Sequence, residues 1–308
     1  MDSCLPFRGW RGAKLRFFAH AEFGKHGDWR NASTLGRASP GRGWGRSSLD
    51  DSVPGEIPSG GMFPNDGDCI IMRVTNRLTF QHISPMPLAP EFETALKNHS
   101  VELDGEVAQR LQAYAEAMWS WNEKLNLTRH TTWDLFVGRD LRDCLQLAPI
   151  LDPGEEVLDL GSGNGVPGIP LAILRPDIDV SLAESVAKRA SVLGEMIADL
   201  DLPVPVYSAR GEDLLEDFRF SSLVCRAVGS IAKLCRWIEP HWSNVDRMLL
   251  IKGPKWIEER GEARHAGLMG NLQLRKVASY PLGDESDEEQ GAIVQVWPKG
   301  RELPMKIS

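Results

Sequence analysis

From Glu156 onward the chain alternates short apolar runs with segments of helical periodicity. The apolar runs predict strands at about 156–160, 179–183, 204–208, 222–226, 247–251, 272–279 and 292–297. The segments between them predict helices at about 168–174, 186–200, 211–217, 230–239 and 255–268. This alternation is typical of an α/β protein with a mostly parallel, Rossmann-like sheet. The link 283–291 is too short for a parallel crossover, so we expect a terminal hairpin and a seven-stranded sheet with one antiparallel strand.

Two or three helices are predicted ahead of the first strand, in a small N-terminal helical subdomain at about 90–150 that precedes a sheet domain at about 151–300. One follows Asp104, a residue type that caps helices. Its apolar positions recur every three or four residues: Val107, Leu111, Tyr114, Met118, Trp121 and Leu125. Another is expected to begin at Thr131 or Thr132 and to end before Pro149. Its predicted inward positions are Leu135, Leu141 and Leu145.

The first 85 residues differ in composition from the rest of the chain. They are rich in Gly, Pro, Ser and Arg and show no sustained period, which predicts a disordered N-terminal extension. Three interpretations stay open: an RNA-binding tail, an organelle transit peptide, or an extension without function that precedes a later start at Met72 or Met86. We favour the last.

Composition and charge narrow the class of protein. A hydrophobic fraction of 42% is ample for a core, and no apolar run approaches the roughly 18 residues of a membrane span. The five scattered cysteines lack CxxC spacing, which argues against disulfides or zinc and favours a reducing, cytoplasmic compartment. Of the net charge of −8, the part after residue 85 holds 24 Lys and Arg against 35 Asp and Glu. An acidic body disfavours a general nucleic-acid binder but permits a local basic surface.

The stretch LDLGSGNGVPG (158–168) places a glycine-dense turn between a strand and a helix. Gly161, Gly163 and Gly165 allow a tight turn whose N–H groups can approach a ligand at a helix N-terminus. The spacing from Asp159 is common in enzymes that bind S-adenosylmethionine (SAM), whereas the spacing from Gly163 also fits the dinucleotide pattern G-x-G-x-x-G. Glu184 ends the next strand, where a carboxylate would hold ribose hydroxyls in either case. The turn therefore predicts a nucleoside cofactor.

The predicted sheet favours SAM over NAD as that cofactor. Seven strands with one antiparallel member are usual in SAM methyltransferases. Dinucleotide dehydrogenases have six parallel strands and normally a separate substrate domain, for which little chain remains after the last predicted strand. A NAD-dependent oxidoreductase stays an alternative.

Five segments carry a more specific signal: WNEKLNLT (121–128), DLGSGNGVPGIPLAILRPD (159–177), Ser-x-x-Lys-Arg (185–189), Cys-Arg-Ala (225–227) and Ile-Lys-Gly (251–253). With these segments the chain resembles the RsmG (GidB) family over about Pro90 to Pro298. That family consists of bacterial enzymes that methylate N7 of a guanine in small-subunit (16S) ribosomal RNA. The resemblance implies the same fold and activity, SAM as cofactor, and small-subunit rRNA or the small ribosomal subunit as partner.

The resemblance also implies roles for individual residues. The implied cofactor-binding residues are Asp159, Gly161, Ser162, Gly163, Gly165, Glu184, Gly211, Glu212 and Arg226. The three glycines would line the methionine part of SAM, and Glu184 would hold the ribose. Gly211 and Glu212 would lie against the adenine, and Arg226 would stand at the reaction mouth.

The chain departs from the family pattern at three places. Asp140 and Cys144 stand where family members usually carry His and Ser. Gln290 or Gly291 stands where the family often has Arg. These differences concern the RNA side, so a non-catalytic, ribosome-associated SAM-binding protein or a methyltransferase acting on a small molecule stays open.

Methyl transfer to guanine N7 needs alignment rather than acid or base catalysis, because this nitrogen carries a free lone pair at neutral pH. No catalytic acid or base and no metal ligand is therefore assigned. RNA contacts are expected from a basic rim around the carboxyl ends of the strands: Arg139, Arg142, Lys188, Arg189 and Lys252. Nothing in the sequence argues for a dimer, so we expect a monomer.

Overall fold

A computed structural model describes residues 71–72, 87–282 and 290–301 of the chain. The strands within these ranges are β1 (Ile71–Met72), β2 (Glu156–Leu160), β3 (Asp179–Ala183), β4 (Val206–Tyr207), β5 (Phe220–Arg226), β6 (Val245–Lys252), β7 (Leu272–Pro281) and β8 (Gln290–Pro298). All seven predicted strands are present, with β2 and β3 at the predicted bounds. β4 is shorter than predicted, and the four later strands are each longer by a few residues.

The strands form one sheet in the order β1-β4-β3-β2-β5-β6-β8-β7. The pairings among β2, β3, β4, β5 and β6 are parallel. β8 runs antiparallel to both β6 and β7, which confirms the predicted hairpin and the single antiparallel strand among the seven. Because β2 to β6 run in one direction, their carboxyl ends meet at one edge, where open α/β sheets bind ligands.

β1 adds an eighth strand that the sequence did not predict. It pairs antiparallel with β4 and falls inside the stretch predicted to be a disordered extension. Two residues carry no periodic signal, so a pattern search passes over them. The remainder of the predicted extension lies outside the described residues, and so does the proposed start at Met86.

The helices are α1 (Pro90–Asn98), α2 (Gly105–Leu125), α3 (Trp133–Leu135), α4 (Arg142–Leu147), α5 (Gly168–Leu174), α6 (Ala187–Asp199), α7 (Gly211–Leu214), α8 (Ile231–Ile238) and α9 (Trp256–His265). A π-helical turn (Phe136–Leu141) joins α3 to α4, and 3-10 turns follow α4 and α8 (Ala148–Ile150 and Glu239–His241). The helices predicted between strands are confirmed, although α7 is three residues shorter than the span 211–217. In the described ranges, no helix combines the length and apolar character needed to cross a membrane.

The strands divide their side chains between two hydrophobic cores. On one face of the sheet, Val157 and Leu182 pack in a cluster with residues of α1, α2, α4, α5 and α6. On the other face, Leu158 and Leu223 pack in a second cluster with residues of α7, α8 and α9. Burial on both faces explains why the strands read as nearly continuous apolar runs.

The helices ahead of β2 share the first of these cores, since α2 packs on α5 and α6. Asp104 caps α2 as predicted, its side chain accepting a hydrogen bond from the Glu106 N–H. Thr132 caps α3 through its hydroxyl, which accepts from the Leu135 N–H. The predicted inward position of Leu135 is wrong, because its side chain is 39% exposed and the next residue, Phe136, takes the buried position. Leu141 is buried as predicted.

A buried ion pair joins β6 to the start of β2, away from the carboxyl ends of the strands. The Arg247 guanidinium donates to both carboxylate oxygens of Glu155 at 3.0 and 2.9 Å and to the Ser222 hydroxyl at 2.8 Å. All three residues are at most 7% exposed. Removing one partner would leave an uncompensated buried charge.

Candidate active site

The turn after β2 has the backbone geometry that its glycines suggest. Gly161, Gly163 and Gly165 have φ angles of 70°, 57° and 100°, in the left-handed region that side chains disfavour. At Gly165 a Cβ would also lie 2.7 Å from the Ile169 Cδ1 atom. At Gly161 a Cβ would lie 3.0 Å from the Val228 Cγ2 atom, so the turn after β5 touches the turn after β2. The glycines thus allow this tight turn, and among them Gly161 is exposed.

Asp159 and Ser162 support this turn from below. Asp159 Oδ2 accepts a hydrogen bond from the Gly168 N–H at 3.0 Å, at the start of α5, and the Ser162 hydroxyl donates to the Asp159 carbonyl at 3.0 Å. Asp159 is 1% exposed, and burial raises its pKa to about 7. Within the described residues its Oδ1 atom has no hydrogen-bond partner. Both side chains therefore shape the turn instead of standing at its surface.

Glu184, the predicted ribose-binding carboxylate, lies against the glycine turn. Its Oε2 accepts from the Gly163 N–H at 3.0 Å, and its Oε1 accepts from the Val186 N–H at 2.8 Å. The Gly161 and Ser162 N–H groups both donate to the carbonyl of Ala183, the last residue of β3. Glu184 is 4% exposed. The carboxyl ends of β2 and β3 are thus fastened together through backbone groups.

Gly211 and Glu212 begin α7 beside the same edge of the sheet. A Cβ at Gly211 would lie 1.9 Å from the Leu160 Cδ1 atom, so any side chain here would force Leu160, at the end of β2, to move. Glu212 is half-buried and forms an ion pair with Arg210 at 3.6 Å. The structure therefore brings Gly211 against the end of β2, just before the glycine turn, and Glu212 follows it in α7.

Arg226, the last residue of β5, is held by two carboxylates. Its Nη1 donates to Asp140 Oδ1 at 2.5 Å and to Asp143 Oδ2 at 3.3 Å. Burial raises the pKa of Asp143, while the Arg226 guanidinium and the Tyr280 hydroxyl oppose that rise. Ala227 follows with a φ of 57°, a strained conformation for a residue with a side chain. The guanidinium is thus directed by both its partners and its backbone.

Each of these carboxylates is held in turn by a donor from another element. His130 Nδ1 lies 2.9 Å from Asp140 Oδ1, and the Tyr280 hydroxyl donates to Asp143 Oδ1 at 2.6 Å. Sequence reasoning missed both donors. His130 lies in the loop before α3, and Tyr280 lies in β7. In the sheet its register partner is Gly291, where a Cβ would lie 2.7 Å from the Tyr280 ring.

A further link joins the N-terminal helices to the glycine turn. The hydroxyl of Tyr114, on α2, donates to the Asn164 carbonyl at 2.9 Å. The Asn164 side chain accepts from the Val166 N–H at 3.3 Å. Tyr114 is fully buried, and the burial raises the pKa of its phenol. The apolar periodicity of α2 marked Tyr114 as a core residue but gave no sign of its hydroxyl's role.

Residues 107–285 of the chain match the family described as "GidB: rRNA small subunit methyltransferase G". A ribosomal RNA small subunit methyltransferase G from Rhodopirellula baltica is 69% identical over 198 residues, which are 64% of this chain and 86% of the relative. One from Desulfotalea psychrophila is 36% identical over 187 residues, which are 59% of this chain and 86% of the relative. The chain belongs to this family.

Among solved structures, TrmK of M. capricolum in complex with S-adenosyl-homocysteine aligns over 53% of this chain and 70% of its own, at 8% identity and a TM-score of 0.41.

The two departures from the usual RsmG (GidB) pattern in the second helical segment both lie in the interior. Asp140 is fully buried and contacts Arg226 and His130. Cys144 is also fully buried, with its sulfur 3.9 Å from the Pro167 carbonyl, and burial raises the pKa of its thiol. Neither side chain is exposed to a macromolecular partner, so their effects must pass through the residues that they touch.

The residues predicted to contact RNA fall into two groups. Lys188 and Arg189 are exposed at the start of α6, and Arg139 is partly exposed on the π-helical turn. Arg142, in contrast, donates to the Pro281 carbonyl and contacts His99.

Lys252 is 8% exposed and, like Arg142, makes its contacts inside the protein. Its ammonium donates to the Gly229 carbonyl at 2.5 Å and to Glu259 at 2.8 Å. The contacts of Lys252 and Arg142 lie within the protein, which argues against the RNA role predicted for them.

Proposed function

We propose that this member of the family transfers the methyl group of SAM to N7 of a guanine in small-subunit (16S) rRNA. The observation that carries the proposal is one continuous site at the carboxyl edge of the sheet. There the glycine turn contacts the Glu184 carboxylate through the Gly163 N–H. The same turn contacts the turn that follows Arg226 through Val228. Family membership favours SAM over the NAD alternative that the glycine spacing also allowed.

The residues at this edge fit SAM. The exposed Gly161 backbone and its neighbours leave space that side chains would fill, which suits the methionine part of SAM. Glu184 would accept hydrogen bonds from ribose hydroxyls, and Gly211 and Glu212 would adjoin the adenine. Asp159 and Ser162 would act indirectly, by holding the turn. Bound SAM supplies an electrophilic methyl group on a positively charged sulfur.

Arg226 is suited to orient the target guanine. Two hydrogen bonds occupy its Nη1 atom, whereas its Nε and Nη2 atoms have no hydrogen bond to the described part of the chain. Guanine presents O6 and N7 as neighbouring acceptors on one edge. In our proposal Arg226 donates to O6 and leaves the N7 lone pair free to face the methyl group. The protein then needs no general base, because the attacking nitrogen carries no proton.

The RNA backbone would be held by a small basic surface formed by Arg139, Lys188 and Arg189. These side chains are exposed or partly exposed near the carboxyl edge of the sheet. An otherwise acidic body would confine phosphate contacts to this surface. We further propose that the protein acts as a monomer in the cytoplasm, where its substrate is made.

The test is transfer of radiolabelled methyl from SAM to small ribosomal subunits that lack the modification. Incorporation should occur at a guanine and should make the RNA cleavable by chemistry specific for 7-methylguanine. Glu184→Gln should weaken SAM binding about tenfold or more, because a hydrogen bond to a charged acceptor contributes roughly 1.5–3 kcal/mol. Glu195→Gln, an exposed position on α6, is the matched control. SAM binding without transfer to any small-subunit preparation would refute the proposed substrate.

The basic surface has its own test. Arg189→Glu should raise the KM for subunits severalfold and reduce its dependence on salt, because one phosphate contact is lost. The dissociation constant for SAM should stay unchanged. Lys299→Glu makes the same change of charge after β8, near the opposite edge of the sheet, where Lys299 donates to the Gly270 carbonyl. Equal effects of the two variants would argue against a localised RNA surface.

A further inference from the structure

Asp140 is the point at which two donors meet. Its Oδ1 atom receives Arg226 Nη1 at 2.5 Å and lies 2.9 Å from His130 Nδ1. Its Oδ2 atom is buried and has no partner within the described residues. The orientation of this fully buried carboxylate therefore rests on one oxygen and two donors. Loss of either donor would free the carboxylate to rotate.

His130 is well placed to be the fixed member of this group. Its carbonyl accepts from the Trp119 indole N–H at 2.7 Å, and its N–H donates to the Thr128 hydroxyl at 3.0 Å. The Trp119 bond ties the loop before α3 to α2, and the Thr128 bond braces this loop from within. The ring itself is partly open, with a side-chain exposure of 32%. Asp140 sits in a π-helical turn, a feature that often re-aims a side chain at a functional site.

Arg226 depends on Asp140 for its shorter contact. The guanidinium reaches Asp140 at 2.5 Å but Asp143 at 3.3 Å, so the first carboxylate sets its position more closely. Arg226 lies two residues from Val228, which touches the glycine turn. A small rotation of Asp140 would move the guanidinium relative to that turn. Misplacement on the ångström scale is enough to slow a reaction that depends on alignment.

We propose that His130 is a positioning residue for methyl transfer, which holds Asp140 and through it sets the direction of Arg226. This inference rests on the proposed function. His130 has no hydrogen bond to Arg226 among those described, so its influence passes through the carboxylate. The bond requires a proton on Nδ1, which either the neutral ring or the imidazolium supplies.

The test compares two substitutions at one position. His130→Leu removes the donor, whereas His130→Asn keeps an amide N–H near the place of Nδ1. We expect His130→Leu to lower kcat about tenfold, because a displacement of Arg226 by a fraction of an ångström weakens the alignment of guanine and methyl group. The dissociation constant for SAM should stay near that of the wild type. The lost hydrogen bond should lower the urea midpoint, so kcat is compared where urea titration shows both proteins to be fully folded. His130→Asn should retain most of kcat.

A double substitution separates positioning from direct contact. In an Asp140→Ala background the intermediary is gone, so adding His130→Leu should lower kcat less than about twofold further. A full tenfold additional loss would mean that His130 acts on RNA or SAM directly, and would overturn the inference. So would an unimpaired His130→Leu enzyme beside an active wild type. A wild-type enzyme that transfers no methyl to small subunits would overturn the proposed function, and the inference with it.

Discussion

Replacing Asp159 by Asn should remove a pH dependence that this buried carboxyl gives to folding. Burial raises its pKa from 3.8 to about 7, and Glu184 adds to the rise, while Gly168, Ser162 and Arg226 oppose it. Between these two values the folded protein binds a proton that the unfolded chain has lost. The stabilisation is therefore complete below the unfolded pKa and disappears as the pH rises through the folded one.

The size of the effect follows from the shift. Each unit of pKa difference corresponds to about 1.4 kcal/mol, so raising the pH from about 5 to about 8 should remove about 2 to 3 kcal/mol of stabilisation. Asn cannot ionise in this range, yet its carbonyl oxygen can still accept the Gly168 N–H. The free energy of unfolding, measured by urea titration without cofactor, should therefore decline with pH relative to the Asp159→Asn variant by this amount.

Asp217→Asn provides the control for this measurement, because Asp217 is exposed. Its difference from the wild type should be the same at every pH. If the difference between wild type and Asp159→Asn also stays constant to within about 0.5 kcal/mol, the carboxyl is not desolvated as its burial indicates, and the reasoning fails.

Three further predictions concern the packing at Gly211, the buried ion pair of Arg247, and the support of Arg226. Gly211→Ala should lower the free energy of unfolding by about 1 to 3 kcal/mol, because its Cβ would overlap a leucine methyl. Gly105→Ala, with open space around the new Cβ, should change that free energy by less than about 0.5 kcal/mol, and equal effects of the two variants would contradict the packing argument. Arg247→Met should lower the free energy of unfolding by about 3 to 5 kcal/mol, and adding Glu155→Gln should restore part of it, as measured by urea titration of both variants. A double variant no more stable than Arg247→Met would contradict the pairing of the two residues. Tyr280→Phe should lower kcat severalfold without changing the dissociation constant for SAM, since it frees Asp143, one of the two carboxylates that hold the Arg226 guanidinium. An unchanged kcat would show that Asp143 holds Arg226 without the Tyr280 hydrogen bond.

The sheet was predictable because its strands are buried on both faces. Segments such as Glu156–Leu160 and Asp179–Ala183 are short, apolar and bounded by turn residues, which leaves little choice of conformation. The glycine turn was predictable for a related reason, since its left-handed backbone requires glycine at three positions. In both cases the constraint is local, so it is written in neighbouring residues.

The arrangement around Arg226 was not predictable in the same way. Tyr280 and Asp143 are 137 positions apart, and no local pattern indicates that their side chains meet. The internal contact of Lys252 was unpredictable for a similar reason, because its partner Glu259 comes from the next helix. A charged residue at a strand end can face outward or close a contact within the protein. Only the packing of the surrounding helices decides between these possibilities.

The hydrogen bonds between Glu184 and the backbone bear on how quickly a nucleoside can bind. The Glu184 carboxylate fastens the glycine turn to the end of β3 through hydrogen bonds within the protein itself. Ordering of this loop is therefore completed during folding, and little conformational entropy remains to be lost at the moment of association. Binding should then proceed as rapid docking into a rigid receptor, with a rate set by diffusion and water exchange instead of by loop closure.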